Sequence, residues 1–205
     1  GGVLLTDRKF AGADTLATSY ALSQAIRKIN PDIILAGRQA IDGDTAQVGP
    51  QTAEKLEMPQ ITYAEEVLYA DDKTIRIKRR LERGVEEVEC NYPCMVTVGS
   101  SAPECRFPIA KQVMKYKNAL TEAEAAETGA DCSEMFAKKP YLKIGLWSAA
   151  DIEADDSRLG LSGSPTKVKK IENVVLTAKE SVNVEPTEEA LDGLVKELIA
   201  SHIIG

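Results

Sequence analysis

The feature that most constrains this chain is a strand–helix–strand pattern near its start. Val3–Leu5 and Ile33–Ala36 are short apolar runs of the kind found in buried strands. Between them, Thr15–Ile29 carries apolar residues at helical spacing, with Asp14 at the N-cap position and Pro31 just beyond its end. A strand, a helix and a second strand in this order form a βαβ unit. The pattern therefore predicts a parallel sheet with a right-handed crossover.

The middle of the chain has a different character. Three segments, Ile61–Ala70, Thr74–Arg80 and Gly84–Cys90, are strand-like and are separated by short polar turns. We expect them to form an antiparallel insert, and we expect Met95–Val98 to return the chain to the main sheet. The predicted fold class is therefore α/β, a parallel sheet with an antiparallel insert.

The last third of the chain predicts an extension of this domain. Residues 100–108 have the composition of a long irregular loop, and the Ala/Glu-rich stretch 118–137 predicts a surface helix. Residues 151–170 suggest an extended arm, and Thr187–Ile203 has the pattern of an amphipathic helix. We expect an α/β domain over 1–150 and a C-terminal arm with its closing helix over 151–205.

Composition and charge exclude several classes of function. The 205 residues include 25 Lys and Arg against 32 Asp and Glu, a net charge of −7, which argues against nucleic acid or an anionic membrane as the main partner. No apolar run is long enough to insert into a membrane. The four cysteines lack paired CxxC spacing, which argues against zinc and is typical of a reducing, cytoplasmic location.

The segment with most chemical content is 37–51, which follows the second predicted parallel strand. Open α/β sheets bind ligands at this edge, and a helix N-terminus there presents unpaired N–H groups to a phosphate. Thr45 and Gln47 add polar side chains, while Asp42 and Asp44 could accept from ribose hydroxyls or cap the helix. The spacing from Asp44 to Gln47 is that of a capping box, and Pro50 requires the helix either to bend or to begin near Gly49. A capped loop without a ligand is the alternative, since the segment is neither a P-loop nor GxGxxG.

The first βα loop, residues 7–15, should lie at the same edge of the sheet. Arg8 could pair with a phosphate or carboxylate, and Gly12 frees the backbone. A plain connecting loop is the alternative reading. Two such loops on one edge favour a nucleotide.

The sequence offers few residues with the character of a catalytic base or nucleophile. His202 is the only histidine, so a Ser–His or Cys–His nucleophile is nearly excluded. Cys90 and Cys94 are better read as core or edge thiols than as redox groups. The sequence predicts no metal site. It favours a chain that binds a cofactor and leaves the chemistry to that cofactor.

Several stretches resemble the beta subunit of electron transfer flavoproteins. The strongest is Asp32–Pro50, which contains the run Ala40-Ile41-Asp42-Gly43-Asp44-Thr45-Ala46-Gln47. Supporting stretches are Leu5–Thr15, Pro93–Val98 and Val182–Ile199, so the resemblance covers essentially the whole chain. It implies a nucleotide-binding fold related to adenine nucleotide alpha hydrolases, and a C-terminal arm that wraps around an alpha subunit.

The resemblance also implies cofactors and partners. Ordinary members hold a structural AMP in this loop and carry the working FAD mainly on alpha. The sequence of residues 42–50 is similar to that of the electron-bifurcating members. In those proteins a second FAD replaces AMP and accepts a hydride from NADH, with ferredoxin as a possible acceptor. Residues 100–111 match the loop that docks an acyl-CoA dehydrogenase. The implied cofactor-binding residues are Ala40, Ile41, Asp42, Gly43, Asp44, Thr45, Ala46, Gln47, Val48, Gly49, Pro50 and Gln51, with Phe10, Ala11, Gly12, Ala13, Asp14 and Thr15 towards the flavin.

Two other functions are alternatives to an electron transfer flavoprotein subunit. The chain could be an ATP-cleaving enzyme of the adenine nucleotide hydrolase fold, although it shows no Gly-rich phosphate loop near its first strand. It could also be an AMP-binding module, although such a module has no use for the long arm. The resemblance further implies a βαβ portion ahead of Gly1, so we expect an N-terminally truncated domain.

Overall fold

A computed structural model describes residues 1–127, 129, 132–168 and 183–204. This part of the chain divides into two compact units, 1–167 and 168–205. The arm was predicted to begin at residue 151, but 151–167 belong to the first unit. The reason is that Leu159 and Ala154 pack against Tyr20, Ala21 and Ala149 in one apolar cluster.

The larger sheet of the first unit has five strands. Strands β2 (Ile33–Gly37), β6 (Cys94–Val98) and β3 (Gln60–Ala70) are parallel to one another, in that spatial order. Strands β4 (Thr74–Leu81) and β5 (Gly84–Asn91) continue the sheet from β3 in antiparallel fashion. The parallel sheet and the antiparallel strands are confirmed, but Ile61–Ala70, which was predicted to lie in the insert, also pairs in parallel with β6 and so belongs to the parallel sheet as well.

The first strand lies in a different sheet from the one expected. Strand β1 (Gly2–Leu5) pairs in parallel with β7 (Ile144–Trp147), and this two-stranded sheet is separate from the five-stranded one. Strands β1 and β2 are therefore linked by a helix without being neighbours in one sheet. Each finds its parallel partner far along the chain, which local spacing does not report.

The predicted first helix is confirmed at both ends. Helix α1 spans Thr15–Ile29, and the Asp14 carboxylate accepts hydrogen bonds from the N–H groups of Leu16 and Ala17. Asn30, in the left-handed conformation at φ 50°, closes the helix. The other helices of this unit are α2 (Val48–Leu56), α3 (Ala110–Tyr116), α4 (Glu122–Glu127), α5 (Ser133–Lys138) and the single turn α6 (Gly160–Gly163).

The last third of the chain differs from two of the predictions. The stretch 118–137 forms two short helices, α4 and α5, instead of one, and Gly129 between them has a φ of +67° that a helix cannot continue. The predicted arm over 151–170 contains a 3-10 turn at Asp156–Arg158 and α6, and residues 169–182 of the chain lie outside the described residues.

The core of the five-stranded sheet explains the two cysteines of the β5–β6 region. Buried Ile61, Ile77 and Val96 pack with Cys94, and the half-buried Cys90 packs against them. Burial, together with a hydrogen bond that the Cys94 thiol donates to Cys90, raises the pKa of Cys94 to about 12. The thiol therefore stays protonated and unreactive at neutral pH, in agreement with a core role.

The second unit is described only at its C-terminal end. Helix α7 spans Glu188–Ala200, and the Thr187 hydroxyl accepts a hydrogen bond from the N–H of Ala190 as its N-cap. Its apolar residues Leu191, Val195 and Ile199 share one face and are exposed within this chain. None of the helices in the described part of the chain is long and apolar enough to cross a membrane.

Candidate functional site

The two loops singled out in the sequence meet in the structure. The Thr15 hydroxyl, at the start of α1, donates a hydrogen bond of 2.9 Å to the side-chain carbonyl of Gln47. The Gln51 amide reaches the same hydroxyl at 3.4 Å, and Ser19 donates to Gln51 at 3.1 Å. A chain of polar side chains thus joins the first turns of α1 and α2. The loops belong to one site although β1 and β2 lie in different sheets.

Ser19 is the member of this network that the sequence analysis missed. It lies one helical turn after Thr15 and is fully buried, with its hydroxyl also donating to the carbonyl of Leu16. The i, i+4 spacing from Thr15 was the available signal, because residues four apart share a helix face.

The prediction that Asp44 caps α2 is wrong. The helix begins at Val48, and its N-cap residue Gln47 makes no capping hydrogen bond with its side chain. This start places Pro50 in the first turn, where a helix does not need the missing N–H. The Asp44 carboxylate instead accepts a hydrogen bond from the side-chain amide of Gln39, within the loop. The alternative that the helix begins near Gly49 is the correct one.

The backbone before α2 is arranged to receive an anion. Asp44 and Ala46 have left-handed conformations, with φ of 48° and 53°, and alternate with residues on the ordinary side. Such alternation turns successive N–H groups towards one point. Among the described residues, the backbone N–H groups of residues 45–49 donate to nothing (Pro50, which follows, has none). Together with the positive end of α2, they can hold a phosphate.

The three glycines of the site serve different ends. Gly43 is exposed, and a Cβ there would meet only the Thr45 side chain, at an ordinary contact distance of 3.9 Å. A Cβ at Gly49 would lie 2.8 Å from the Thr97 side chain, so this glycine lets α2 pack closely on β6. A Cβ at Gly12, whose φ is +71°, would lie 2.8 Å from Leu161. Two of the three are therefore explained by packing between elements.

The first loop is held by a segment that the sequence analysis assigned to the arm. The Asp14 N–H donates to the Ser164 hydroxyl at 2.8 Å, and the Asp14 carboxylate accepts from Thr166 at 2.8 and 3.1 Å. Burial opposes ionisation of Asp14, but these bonds and those from α1 outweigh it and lower the pKa. Residues 160–166 thus fix the loop that was predicted to face the flavin.

Not every predicted site residue faces the shared space. Phe10 packs against the buried cluster of Tyr20 and Leu159, which gives it a packing role. Ala11 and Gly12 are exposed, whereas Ala13 is half-buried. In the second loop Ala40 is exposed, Ile41 is fully exposed, and the Asp42 carboxylate accepts from the Gly43 N–H. Pro50 is half-buried in the first turn of α2.

The loop at 100–111 carries a separate apolar surface. No helix or strand is present between Gly99 and Ile109, and α3 begins at Ala110. Phe107 is 94% exposed and Ile109 is 64% exposed. Val113 and Met114 of α3 extend this exposed apolar surface. Across the described residues no group of three His, Cys, Asp or Glu side chains could hold a metal ion.

Comparison with known proteins gives the family. Residues 2–128 match the electron transfer flavoprotein domain. The chain belongs to this family. Its site residues 10–15 and 40–51, the whole five-stranded sheet and helices α1 to α4 lie within the matched region.

Named relatives agree over almost the full chain. An electron transfer flavoprotein subunit beta of Clostridium acetobutylicum is 41% identical over 98% of this chain and 69% of its own length. One from Megasphaera elsdenii is 39% identical over 98% of this chain and 69% of its own. Protein FixA of Azorhizobium caulinodans is 38% identical over 96% of this chain and 65% of its own. The chain thus spans about two thirds of the length of these relatives.

Proposed function

We propose that this chain is an electron-transfer subunit of the beta type, which works in a heterodimer with an alpha subunit and passes electrons between dehydrogenases through bound FAD. Its relatives named subunit beta support this proposal. The two loops offer hydroxyls, amides and backbone N–H groups that can bind a nucleotide. FAD, when bound, would supply the redox chemistry.

The observation that carries the proposal is the set of unengaged N–H groups between Thr45 and Gly49, next to the Thr15–Gln47 hydrogen bond. We propose that they hold a phosphate group of the nucleotide, with 40–51 cradling its diphosphate and adenosine end. The loop 10–15 would line the part towards the flavin and, in a bifurcating protein, towards NADH. Thr15 and Gln47 would position the two loops relative to each other.

One position allows this placement to be tested with a matched control. Ala46 is left-handed at φ 53°, a conformation that Asp and Asn tolerate better than other residues. Ala46→Asp adds a negative charge beside the N–H groups, and we expect it to lower nucleotide affinity at least tenfold by repulsion. Ala46→Asn adds the same bulk without charge and should retain the nucleotide. The measurement is nucleotide content after co-expression with the alpha subunit; equal content in both variants would contradict the placement.

The identity of the nucleotide distinguishes two forms of the proposal. We infer from the sequence of residues 42–50 that the site binds FAD, as in the bifurcating group that oxidises NADH. AMP is the alternative ligand. Denaturing the purified heterodimer releases its nucleotides for chromatography. Two FAD per heterodimer are expected. One FAD with one AMP would remove bifurcation and leave an ordinary electron carrier.

We further propose that residues 100–111 dock a partner dehydrogenase of the acyl-CoA type. The support is the exposure of Phe107 and Ile109, two large apolar side chains on an irregular loop that buries neither of them within this chain. Apolar surface of this kind, adjacent to α3, is typical of an interaction site. A cytoplasmic location fits these partners and remains part of the proposal.

A further inference from the structure

An open cavity lies near the C-terminal end of α2. It has a volume of about 390 Å³ and is lined by residues of α1, of the C-terminal half of α2 and of the segment that follows Asp156. Its lining combines two cations with hydroxyls and an apolar wall. These residues are Leu16, Tyr20, Lys55, Ser157, Arg158, Ser162, Gly163, Ser164 and Pro165.

The two cations share the cavity without a carboxylate between them. Among the described residues, neither Lys55 nor Arg158 forms a salt bridge. Arg158 instead lies over the ring of Tyr20, with 3.9 Å between the guanidinium carbon and the ring centroid. Burial and the neighbouring Arg158 lower the pKa of Lys55, against the opposing attraction of Asp14 and Glu54. Two like charges held together in a partly buried space are destabilising unless an anion joins them.

Two of the nearby carboxylates, those of Asp14 and Asp155, already accept hydrogen bonds from neutral donors. Asp14 accepts from the first turn of α1 and from Thr166. Asp155 accepts from the N–H and the hydroxyl of Ser157. Ser164 is also engaged, since its hydroxyl donates to the Gly160 carbonyl. Among the described residues, the Lys55 ammonium, the Arg158 guanidinium and the hydroxyls of Ser162 and Tyr20 line the cavity as donors with no hydrogen-bond acceptor.

We propose that this cavity binds the phosphate group of a small phosphorylated molecule, with Lys55 and Arg158 as its two cationic contacts. The ammonium, the guanidinium and the Ser162 hydroxyl belong to residues of the same lining, and charge-assisted and neutral donors of this kind suit a tetrahedral, doubly charged oxyanion. The volume exceeds that of phosphate alone, and Leu16, Tyr20 and Pro165 provide an apolar wall for the rest of the molecule. Lys55 lies at the opposite end of α2 from the N–H groups that we propose to hold the nucleotide phosphate, whereas Leu16 and Ser164 adjoin the loop 10–15.

The test is a titration of the full chain with inorganic phosphate, followed by NMR of the lysine side-chain ammonium groups and by calorimetry. We expect phosphate to raise the pKa of Lys55, because an anion favours the charged form. Lys55→Gln and Arg158→Gln should each weaken phosphate binding about tenfold, the worth of one charge-assisted contact. The matched control is Lys73→Gln, an equal charge change at an exposed turn outside the cavity.

Three results would overturn the proposal: no measurable phosphate binding, binding that leaves Lys55 unmoved, or an equal loss of affinity in Lys73→Gln. The Ala46→Asp variant separates the two sites. It should lose the nucleotide and still show the phosphate response at Lys55. Loss of the Lys55 response with the nucleotide retained would sink the cavity proposal and leave the nucleotide site standing.

Discussion

At residue scale, Gly160 shows how one position connects distant parts of the chain. Its φ is +49°, and a Cβ there would lie 2.3 Å from the carbonyl oxygen of Lys9 and 2.8 Å from that of Ala11. Backbone atoms cannot move aside as a flexible side chain can. The glycine is therefore required for α6 to lie against the first βα loop, in which Asp14 forms hydrogen bonds with Ser164 and Thr166.

We expect Gly160→Ala to lower the free energy of unfolding by about 3 kcal/mol, as the sum of a left-handed alanine and an overpacked contact. The measurement is urea denaturation followed by circular dichroism. Gly37→Ala is the control, since Gly37 has ordinary backbone geometry and nothing within 4 Å of its Cβ position. A loss equal to that of the control would show that α6 does not lie against the loop.

At the scale of elements, the turn between β3 and β4 depends on a single carboxylate. Asp71 accepts hydrogen bonds from the N–H groups of Lys73 and Thr74, both at 2.7 Å, and from the Tyr69 hydroxyl at 2.9 Å. These bonds lower the pKa of Asp71 from 3.8 to about 2, the two backbone donors contributing most. The charged form is thus the one that the folded hairpin favours.

This shift predicts a pH dependence with a definite sign. A carboxyl whose pKa is lower in the folded state stabilises that state fully above the unfolded pKa, and the contribution is lost as pH falls through the folded pKa. Asp71→Asn should therefore be less stable than the parent at neutral pH. The difference should shrink between about pH 4 and about pH 2. Stability curves of both proteins across this range test the prediction; a difference that does not change with pH would contradict it.

At the scale of the whole molecule, the exposed apolar loop predicts where a partner binds. Phe107→Ser should reduce electron transfer between the heterodimer and its partner dehydrogenase at least tenfold, because a large exposed aromatic is a typical hot spot. Nucleotide content should stay unchanged, since the loop is not part of the proposed nucleotide site. Val85→Ser, at another exposed apolar position on β5, serves as the control. A rate in Phe107→Ser equal to that of the control would place docking elsewhere.

Elements that depend on interactions between residues close in sequence could be predicted, and those that depend on distant contacts could not. Helix α1 could be predicted to the residue because its cap, its apolar spacing and its stop at Asn30 are all local. The strands of the insert were predictable for the same reason. The start of α2 was not, since Asp44 satisfies a local capping pattern but turns to Gln39. The capping pattern at Asp44 and the preference of Pro50 for the first turn predict different starts for α2. The helix has the start that the proline favours.

The sequence by itself determined the α/β class, the order of the main strands and helices, and the position of the two loops along the chain. These depend on periodicity, caps and turn residues that act over a few positions. Tertiary structure alone decided that β1 joins β7, that Phe10 points into a core, and that Lys55 and Arg158 face one cavity. Each of these joins residues far apart along the chain. Such contacts arise when whole helices and strands pack together, and a short stretch of sequence does not indicate which elements will be neighbours.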